Sequence, residues 1–502
     1  MSKDNGVLLV HDADRKGVFF LNAALRRASV VDTLTKRETA MHDEMRRFVV
    51  QIGSIALCLV AFGVGGQTAM AAEEQGAGEA AGAGRLSRET ETPPAVICGG
   101  CVSPTYTSQG KGSITPYGRI ELDAIYSNRN TNPLDPGQFN GYATAAGKSS
   151  NSSATFNPRY SVFGLRADRT DGKHVLTGVV ETDFYSQTDN AGNISPRLRL
   201  AYARYSPNNN KTSITAGMDW TPVMGLHPNL IDFSIMGYNG NLWQRLPQVT
   251  VRHQFSEHFD GLITAFRFER GLSAIQPQTQ RRTFDGFGVG GIPPNGCANG
   301  FACSENAFND PVQMPYFGTR FGYNGTGNLQ GFTIALNGAY RYYRSAPTGN
   351  VLSIPSGQNI NSFLVGAELV VPITKRLKFS GELAYGQALG VEFFRYGQDR
   401  NIGTGSEVRT LVGWGELDYA HDRDTTFIAG YGFDNPSNSD LQGTVAVPDQ
   451  QYLLNHRSYL TAVRHIWGDL FLSFEWNHLM TKWTTGESFA GDNFMISTWY
   501  NF

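Results

Sequence analysis

Between Ser113 and Phe502 a short run in which every second side chain is apolar recurs sixteen times. In 114–126, Ile114, Ile120, Leu122, Ala124 and Tyr126 share one face, while Arg119, Glu121 and Asp123 share the other. In 330–343, Phe332, Ile334, Leu336, Tyr340 and Tyr342 oppose Thr333, Asn337 and Arg341; around 361–371, Phe363, Val365, Ala367, Leu369 and Val371 oppose Glu368. The last run sets Phe494, Ile496, Tyr500 and Phe502 against Ser497 and Asn501. Successive side chains of a strand point to opposite faces, so a period of two with one apolar face means half-buried strands. A soluble β-sandwich shows the same period, and alternation alone does not separate the two.

Connection lengths do. The strand candidates fall near 113–126, 159–168, 174–185, 197–205, 211–220, 248–255, 260–270 and 312–323, then 330–344, 361–371, 377–386, 408–420, 425–434, 451–466, 469–480 and 493–502. The odd connections are long: 127–158, 186–196, 221–247, 271–311, 345–360, 387–407, 435–450 and 481–492. The even ones are short, as in 169–173, 206–210, 256–259, 372–376 and Trp467-Gly468. A sandwich has no reason to sort its loops by parity. An up-and-down transmembrane barrel does, with tight periplasmic turns and long external loops. The expected fold is therefore all-β, a 16-stranded antiparallel barrel whose closure removes the unpaired strand edges a bilayer does not tolerate. Charged residues at 17% and a mean hydropathy of -0.29 agree, because only alternate residues need face lipid. Trp220, Trp476, Trp499, Tyr385 and Tyr500 lie near strand ends, where aromatic girdles are expected. Sixteen strands leave an open lumen, whereas eight would be filled by side chains.

The one long apolar run is N-terminal. Arg46-Arg47 precede Phe48 to Val64, followed by Ala69-Met70-Ala71. This order predicts an exported chain whose signal is cut after Ala71. Gly53, Ser54, Gly63, Gly65 and Gly66 leave too little apolar length for a membrane anchor. Cys58 follows Leu57 rather than a small residue, which speaks against a lipid-modified cysteine. The expected domains are 1–71, leader and signal peptide, with 1–40 an extended leader or a misplaced start before Met41 or Met45; 72–111, a flexible periplasmic lead-in without periodicity; and 112–502, the barrel.

Without 1–71, 33 Lys/Arg face 37 Asp/Glu, a balance that argues against a nucleic-acid partner. Cys98, Cys101, Cys297 and Cys303 remain, and two close pairs in an exported chain predict two local disulfides. A metal site is the weaker reading, since neither pair has a nearby His. The chain holds no G-x-S-x-G, no H-E-x-x-H and no Gly-rich phosphate loop between strand and helix. Neither an enzyme nor a cofactor or metal is expected. Glu181 and Asp183, on one strand face, read as lumen wall rather than as a hydrolytic pair.

The terminal Asp492-Asn-Phe-Met-Ile-Ser-Thr-Trp-Tyr-Asn-Phe502 resembles the C-terminal signal of outer-membrane proteins. Further stretches are Tyr117-Gly-Arg-Ile-Glu-Leu-Asp123, Ser161-Val-Phe-Gly-Leu-Arg166, Val180-Glu-Thr-Asp-Phe184 and Arg197-Leu-Arg-Leu-Ala-Tyr202. Ala216-Gly-Met-Asp-Trp220, Asp232-Phe233 and Arg245-Leu-Pro-Gln-Val249 continue the series. In order and spacing these are similar to the DcaP-like outer-membrane porins. The resemblance implies a 16-stranded homotrimer in outer-membrane lipid that passes small anionic solutes, often dicarboxylates. It also implies handling by the barrel-assembly machinery through the strand ending in Phe502. Members of that family can carry a periplasmic coiled coil; residues 72–111 have no heptads and depart from it.

Selectivity in a water-filled pore comes from charges of one sign at a narrowing. Alternation points Arg119, Arg166, Arg197, Arg199, Arg252, Arg267, Arg320 and Arg341 into the lumen, with Glu121, Asp123, Asp168, Glu181, Asp183, Asp219, Glu269, Glu368, Glu382, Glu416, Asp418 and Glu475. The competing reading of each is an interstrand ion pair. The third long connection, 221–247, is the expected constriction loop because in trimeric porins this loop folds into the lumen. Asp232, Phe233 and Arg245 would border the eyelet. Its Leu226, Leu230, Ile231, Phe233, Ile235 and Met236 are too apolar for a solvated loop and should pack on the inner wall or at a subunit interface. The function expected is weakly anion-preferring passive diffusion; the alternative is a structural or adhesive barrel plugged by its loops.

Overall fold

The computed structural model describes residues 106–108, 112–129, 152–184, 196–207, 211–267, 314–344, 359–389, 393, 401, 406–441, 452–484 and 486–502. Ala71, the four cysteines Cys98, Cys101, Cys297 and Cys303, and the leader and lead-in expectations lie outside them.

The strands are β1 (Tyr106–Ser108), β2 (Gly112–Ser127), β3 (Ser153–Asn157), β4 (Val162–Thr170), β5 (Val175–Asp183), β6 (Arg197–Ser206), β7 (Thr212–Trp220), β8 (Arg245–Gln254) and β9 (Phe259–Phe266). They continue as β10 (Tyr316–Asn324), β11 (Thr333–Arg344), β12 (Asn359–Pro372), β13 (Leu377–Gln387), β14 (Arg409–Ala420), β15 (Thr425–Pro436), β16 (Tyr452–Trp467), β17 (Leu470–Trp483) and β18 (Ser488–Asn501). From β2 onward each pairs antiparallel with the next, except that β3 and β4 both pair with β2 and form one interrupted strand. The short β1 pairs with the start of β2 and adds no wall strand. Sixteen wall strands result, and β18 pairs with β2 from Asn493↔Ser127 to Asn501↔Arg119 to close the ring. Phe502 finishes the seam: its N–H donates to the Gly118 carbonyl at 3.1 Å and its carbonyl accepts the Gly118 N–H at 3.0 Å.

The alternation puts apolar residues outside. Ile120, Leu122, Phe163, Leu165, Ile263, Phe321, Leu336, Val365, Leu460, Phe474 and Ile496 are exposed, while Glu121, Asp123, Glu181, Asp183, Arg320, Glu368, Glu416 and Glu475 are buried. Water does not tolerate so large an apolar band, but a bilayer requires it. The barrel is transmembrane.

Three expectations need correction. The last connection is not long: β17 and β18 extend to Lys482↔Ser488, and a tight turn joins them, with Trp483 N–H on the Glu487 carbonyl and Gly486 N–H on the Trp483 carbonyl. Thr481, Lys482, Ser488 and Asp492 look like loop residues because this hairpin carries polar side chains at its tip. Trp220 is no girdle residue; it is buried inside, in a cluster with Val179, Leu200, Ile235 and Trp243. Arg245 lies outside the third connection and opens β8, three residues before the strand start expected at 248.

Two irregularities aim side chains inward. Pro158 cannot donate to a ladder, and the wall breaks at 158–161 with Ser161 N–H on the Pro158 carbonyl. In β6 the register shifts so that Glu181 faces Leu200 but Thr182 faces Leu198, which leaves Arg199 as the extra residue of a bulge. Arg199 and Leu200 are consequently both buried.

Candidate functional site: the third loop and the charged inner wall

The third connection, 221–244, lies wholly inside the barrel, with Val223, Met224, Ile231, Asp232, Phe233, Ser234, Ile235, Met236, Tyr238 and Trp243 buried. Its apolar side chains pack on the inner wall, Met236 beside Trp414, Ile428 and Tyr459, and Ile231 beside Ile125 and Met495. A loop in the lumen must satisfy its backbone N–H groups, and wall side chains do so nearly strand by strand. Met224 N–H donates to Asn337 of β11 at 3.1 Å, Gly225 N–H to Glu368 of β12 at 3.1 Å, and Leu226 N–H to Glu382 of β13 at 2.8 Å. Asn229 gives its N–H to Glu416 of β14 at 2.8 Å, and Ile231 and Asp232 give theirs to Glu475 of β17 at 2.5 and 3.2 Å. A carboxylate accepting backbone N–H bonds makes a charge-assisted contact, stronger than a neutral one.

One arginine locks the far end of this crossing. Arg457 of β16, fully buried, reaches Asp232 at 2.7 Å and Glu475 at 3.5 Å, and also donates to Ser234 and Asn477. Ser234 in turn donates to Asp232. Sequence reasoning placed Asp232 and Glu475 but missed Arg457, although its parity with Asn455 and Thr461 gives it an inward position. On the return path Tyr238 accepts from Asn455 at 2.8 Å. Gly240 (φ 116°) passes so close to the wall that an added Cβ would sit 2.0 Å from the Gly413 carbonyl oxygen. Met224 (φ 55°), Ile235 (φ 40°) and Met236 (φ 63°) hold left-handed backbone, which is costly for side-chain-bearing residues and persists only where the surroundings over-determine it.

On the opposite wall, four of the sequence-selected arginines converge. Arg197, Arg199 and Arg245 lie 2.6, 3.5 and 3.6 Å from one Asp183 oxygen, and Arg199 also pairs with Glu181 at 2.7 Å. Arg119 pairs with Glu121 at 2.7 Å and lies 4.2 Å from the ring centre of Tyr160, which the strand break delivers. Arg197 lies 5.3 Å from the Phe233 ring, and Tyr160 packs edge-on against Phe233. Arg245 lies 5.4 and 5.5 Å from the ring centres of Trp220 and Trp243, which contact each other at 5.6 Å. Asp232 belongs to the Arg457 lock rather than to this group.

The other selected arginines stand apart. Arg166 pairs with Asp168 at 2.7 Å, Arg252 with Asp260 at 3.6 Å, and Arg320 with both Asp260 and Glu368 at 3.2 and 2.8 Å. Arg341 donates to the Met314 carbonyl, and Arg267 holds the Pro247 carbonyl through its backbone N–H. Arg204, which pairs with Asp219 at 3.4 Å, was not singled out from the sequence.

A closed sixteen-stranded wall with its third long connection folded inside is the architecture of porins. Among solved structures, the fold is similar to the outer-membrane channel DcaP of Acinetobacter baumannii, at 15% identity over 79% of this chain and 99% of that one, with a TM-score of 0.59. Looser matches are an anion-selective porin from Comamonas acidovorans (12% identity, 78% and 100% covered, TM-score 0.45) and OmpF of Salmonella typhi in complex with daunomycin (11%, 80% and 100%, 0.47). The first of these likenesses establishes a shared barrel fold. No protein-family model and no curated protein sequence matches the chain.

Proposed function

We propose that this barrel is an outer-membrane porin through which small hydrophilic solutes diffuse passively, with a weak preference for anions such as dicarboxylates. The observation that carries the sign is an asymmetry of water contact within the inner ion pairs. Arg119 keeps 18% of its side chain accessible against 1% for Glu121, and Arg197 keeps 20% against 0% for Asp183. Arg252 keeps 25% against 9% for Asp260. Carboxylates under the third loop are covered as well, their charge spent on backbone N–H groups. A passing ion therefore meets guanidinium edges more than carboxylates, and the planar fork of arginine suits a carboxylate. Arg119 and Arg197 are the pore-lining groups favoured, with Phe233 and Arg245 at the narrowing; Arg199, 2% accessible, backs them by neutralising Glu181 and Asp183.

The proposal extends to a leader ending at Ala71, a flexible lead-in, assembly-machinery recognition of the terminal strand, and a homotrimer in outer-membrane lipid. A second reading has one observation in its favour: 221–244 fills so much of the lumen that the barrel could be a plugged, structural one. Planar-bilayer recording of purified protein separates the two. Discrete openings whose reversal potential in a salt gradient shifts toward the anion support the porin; silence sinks it, and a cation-directed shift removes the anion preference.

A further inference from the structure

The short-turn end of the barrel carries a collar that the transport reading does not use. Its connections and their flanks hold Arg169, Lys173, Lys211, Lys375, Arg376, Arg423 and Arg464, all exposed. Asp171, Glu257, Asp422, Asp424 and Asp469 lie among them, but two of these acids accept backbone N–H groups of their own turns and a third is engaged by a histidine. Asp171 accepts the backbone N–H groups of Lys173 and His174 at 2.9 and 2.7 Å, which hold its carboxyl below the usual range. Asp422 accepts the Asp424 N–H, with the same effect, and Asp424 contacts His465. Arg169, Lys173, Lys375 and Arg423 form no ion pair among the described residues. The collar thus offers outward cations while part of its negative charge is used to fold the turns.

Beside the cations stands a second ring, of histidines packed on aromatics. His174 stacks on Tyr205 at 5.8 Å and takes its hydroxyl contact, and His258 stacks on Tyr323 at 5.7 Å. His253 packs on Phe255 at 4.9 Å, and His421 on Phe427 at 5.9 Å. Phe255, Phe259, Phe427, Tyr205 and Tyr419 are exposed on the outer face, where the apolar band ends. Rings with an apolar body and a polar tip settle at the headgroup level of a bilayer. The cations of the turns therefore stand where lipid phosphates lie.

We propose that this collar is a binding surface for anionic phospholipid headgroups in the leaflet at the short-turn edge. Lys173, Lys375, Arg376 and Arg423 supply charge, and the His/aromatic pairs set their depth. The surface rests on the barrel's place in a bilayer and not on what the lumen passes. The test uses the full chain in nanodiscs of equal phosphatidylcholine and phosphatidylglycerol, followed by detergent extraction and measurement of the lipids that stay bound. Wild type should retain phosphatidylglycerol and phosphatidylcholine at about three to one against the one-to-one bulk ratio, and the Lys173→Gln/Lys375→Gln/Arg376→Gln/Arg423→Gln variant should lose most of that excess. Lys482→Gln, at the opposite end, should keep it. Heat-dependent electrophoretic mobility confirms that each variant is folded. Should the quadruple variant not fold, wild type decides alone: retention in the bulk ratio overturns the proposal, as does an excess the folded quadruple variant preserves.

Discussion

Replacing Arg457 with Met tests whether the third loop is locked in place. The side chain is fully buried between two carboxylates, Asp232 on the loop and Glu475 on the wall, with Asn477 and Ser234 as further acceptors. Methionine fills a similar volume, so the chief loss is charge. Removing one member of a buried ion-paired group leaves its partners uncompensated and costs about 3–5 kcal/mol. Here both remaining partners are acids that already share the Asp232 N–H contact to Glu475 at 3.2 Å, so the cost falls on the seating of 231–236. The barrel wall, held by its closed ladder, should stay intact. Because every 1.4 kcal/mol is tenfold, local opening of 231–236 should become roughly a hundredfold to a few thousandfold more populated. Hydrogen exchange read by mass spectrometry on peptides from 221–244 would show that acceleration, with peptides of β13 and β14 unchanged. Adding Glu475→Gln should recover part of the protection by removing one of the two facing charges. Exchange within about threefold of wild type in the single variant would refute the lock.

Other outcomes follow from the same geometry. Gly240→Ala should unseat the return path of the loop, because its Cβ would overlap the Gly413 carbonyl, and single-channel traces should show added current noise. Arg197→Ala with Arg199→Ala should move the reversal potential toward zero or toward cations by uncovering Asp183 and Glu181; an unchanged potential assigns both arginines to wall structure. Deleting Phe502 removes both hydrogen bonds to Gly118 and the ring contact with Phe163, so the folded fraction in heat-modifiability gels should fall. Asp440 carries a carboxyl held low: burial raises it, but the Arg409 side chain and backbone N–H outweigh that. Its contribution is present above the ordinary aspartate value of about 3.9 and is lost as pH falls through the lowered value. Exchange in 437–441 should accelerate only on that acid side, and in Asp440→Asn at neutral pH as well.

The wall was legible in the sequence because a transmembrane strand must satisfy two local rules at once, alternation and turn parity. Phe494, Ile496 and Tyr500 show the alternation, and in the fold they pair with Tyr126, Ala124 and Ile120 across the closing seam. The interior was legible only in part, because its contacts are long-range. Nothing near Glu368, Glu382 or Glu416 says that each accepts an N–H from a loop more than a hundred residues earlier. Alternation gave their direction and left their partner open. The break at Pro158 and the bulge at Arg199 were hidden for another reason: each violates the period that made the strands visible. These violations bring Tyr160 and Arg199 to the cluster around Arg119, Arg197 and Arg245. The backbone of Phe502 closes on Gly118, next to Arg119, so the residue that seals the barrel also fixes the strand from which that arginine projects inward. Closure and the candidate site are thus coupled through one seam.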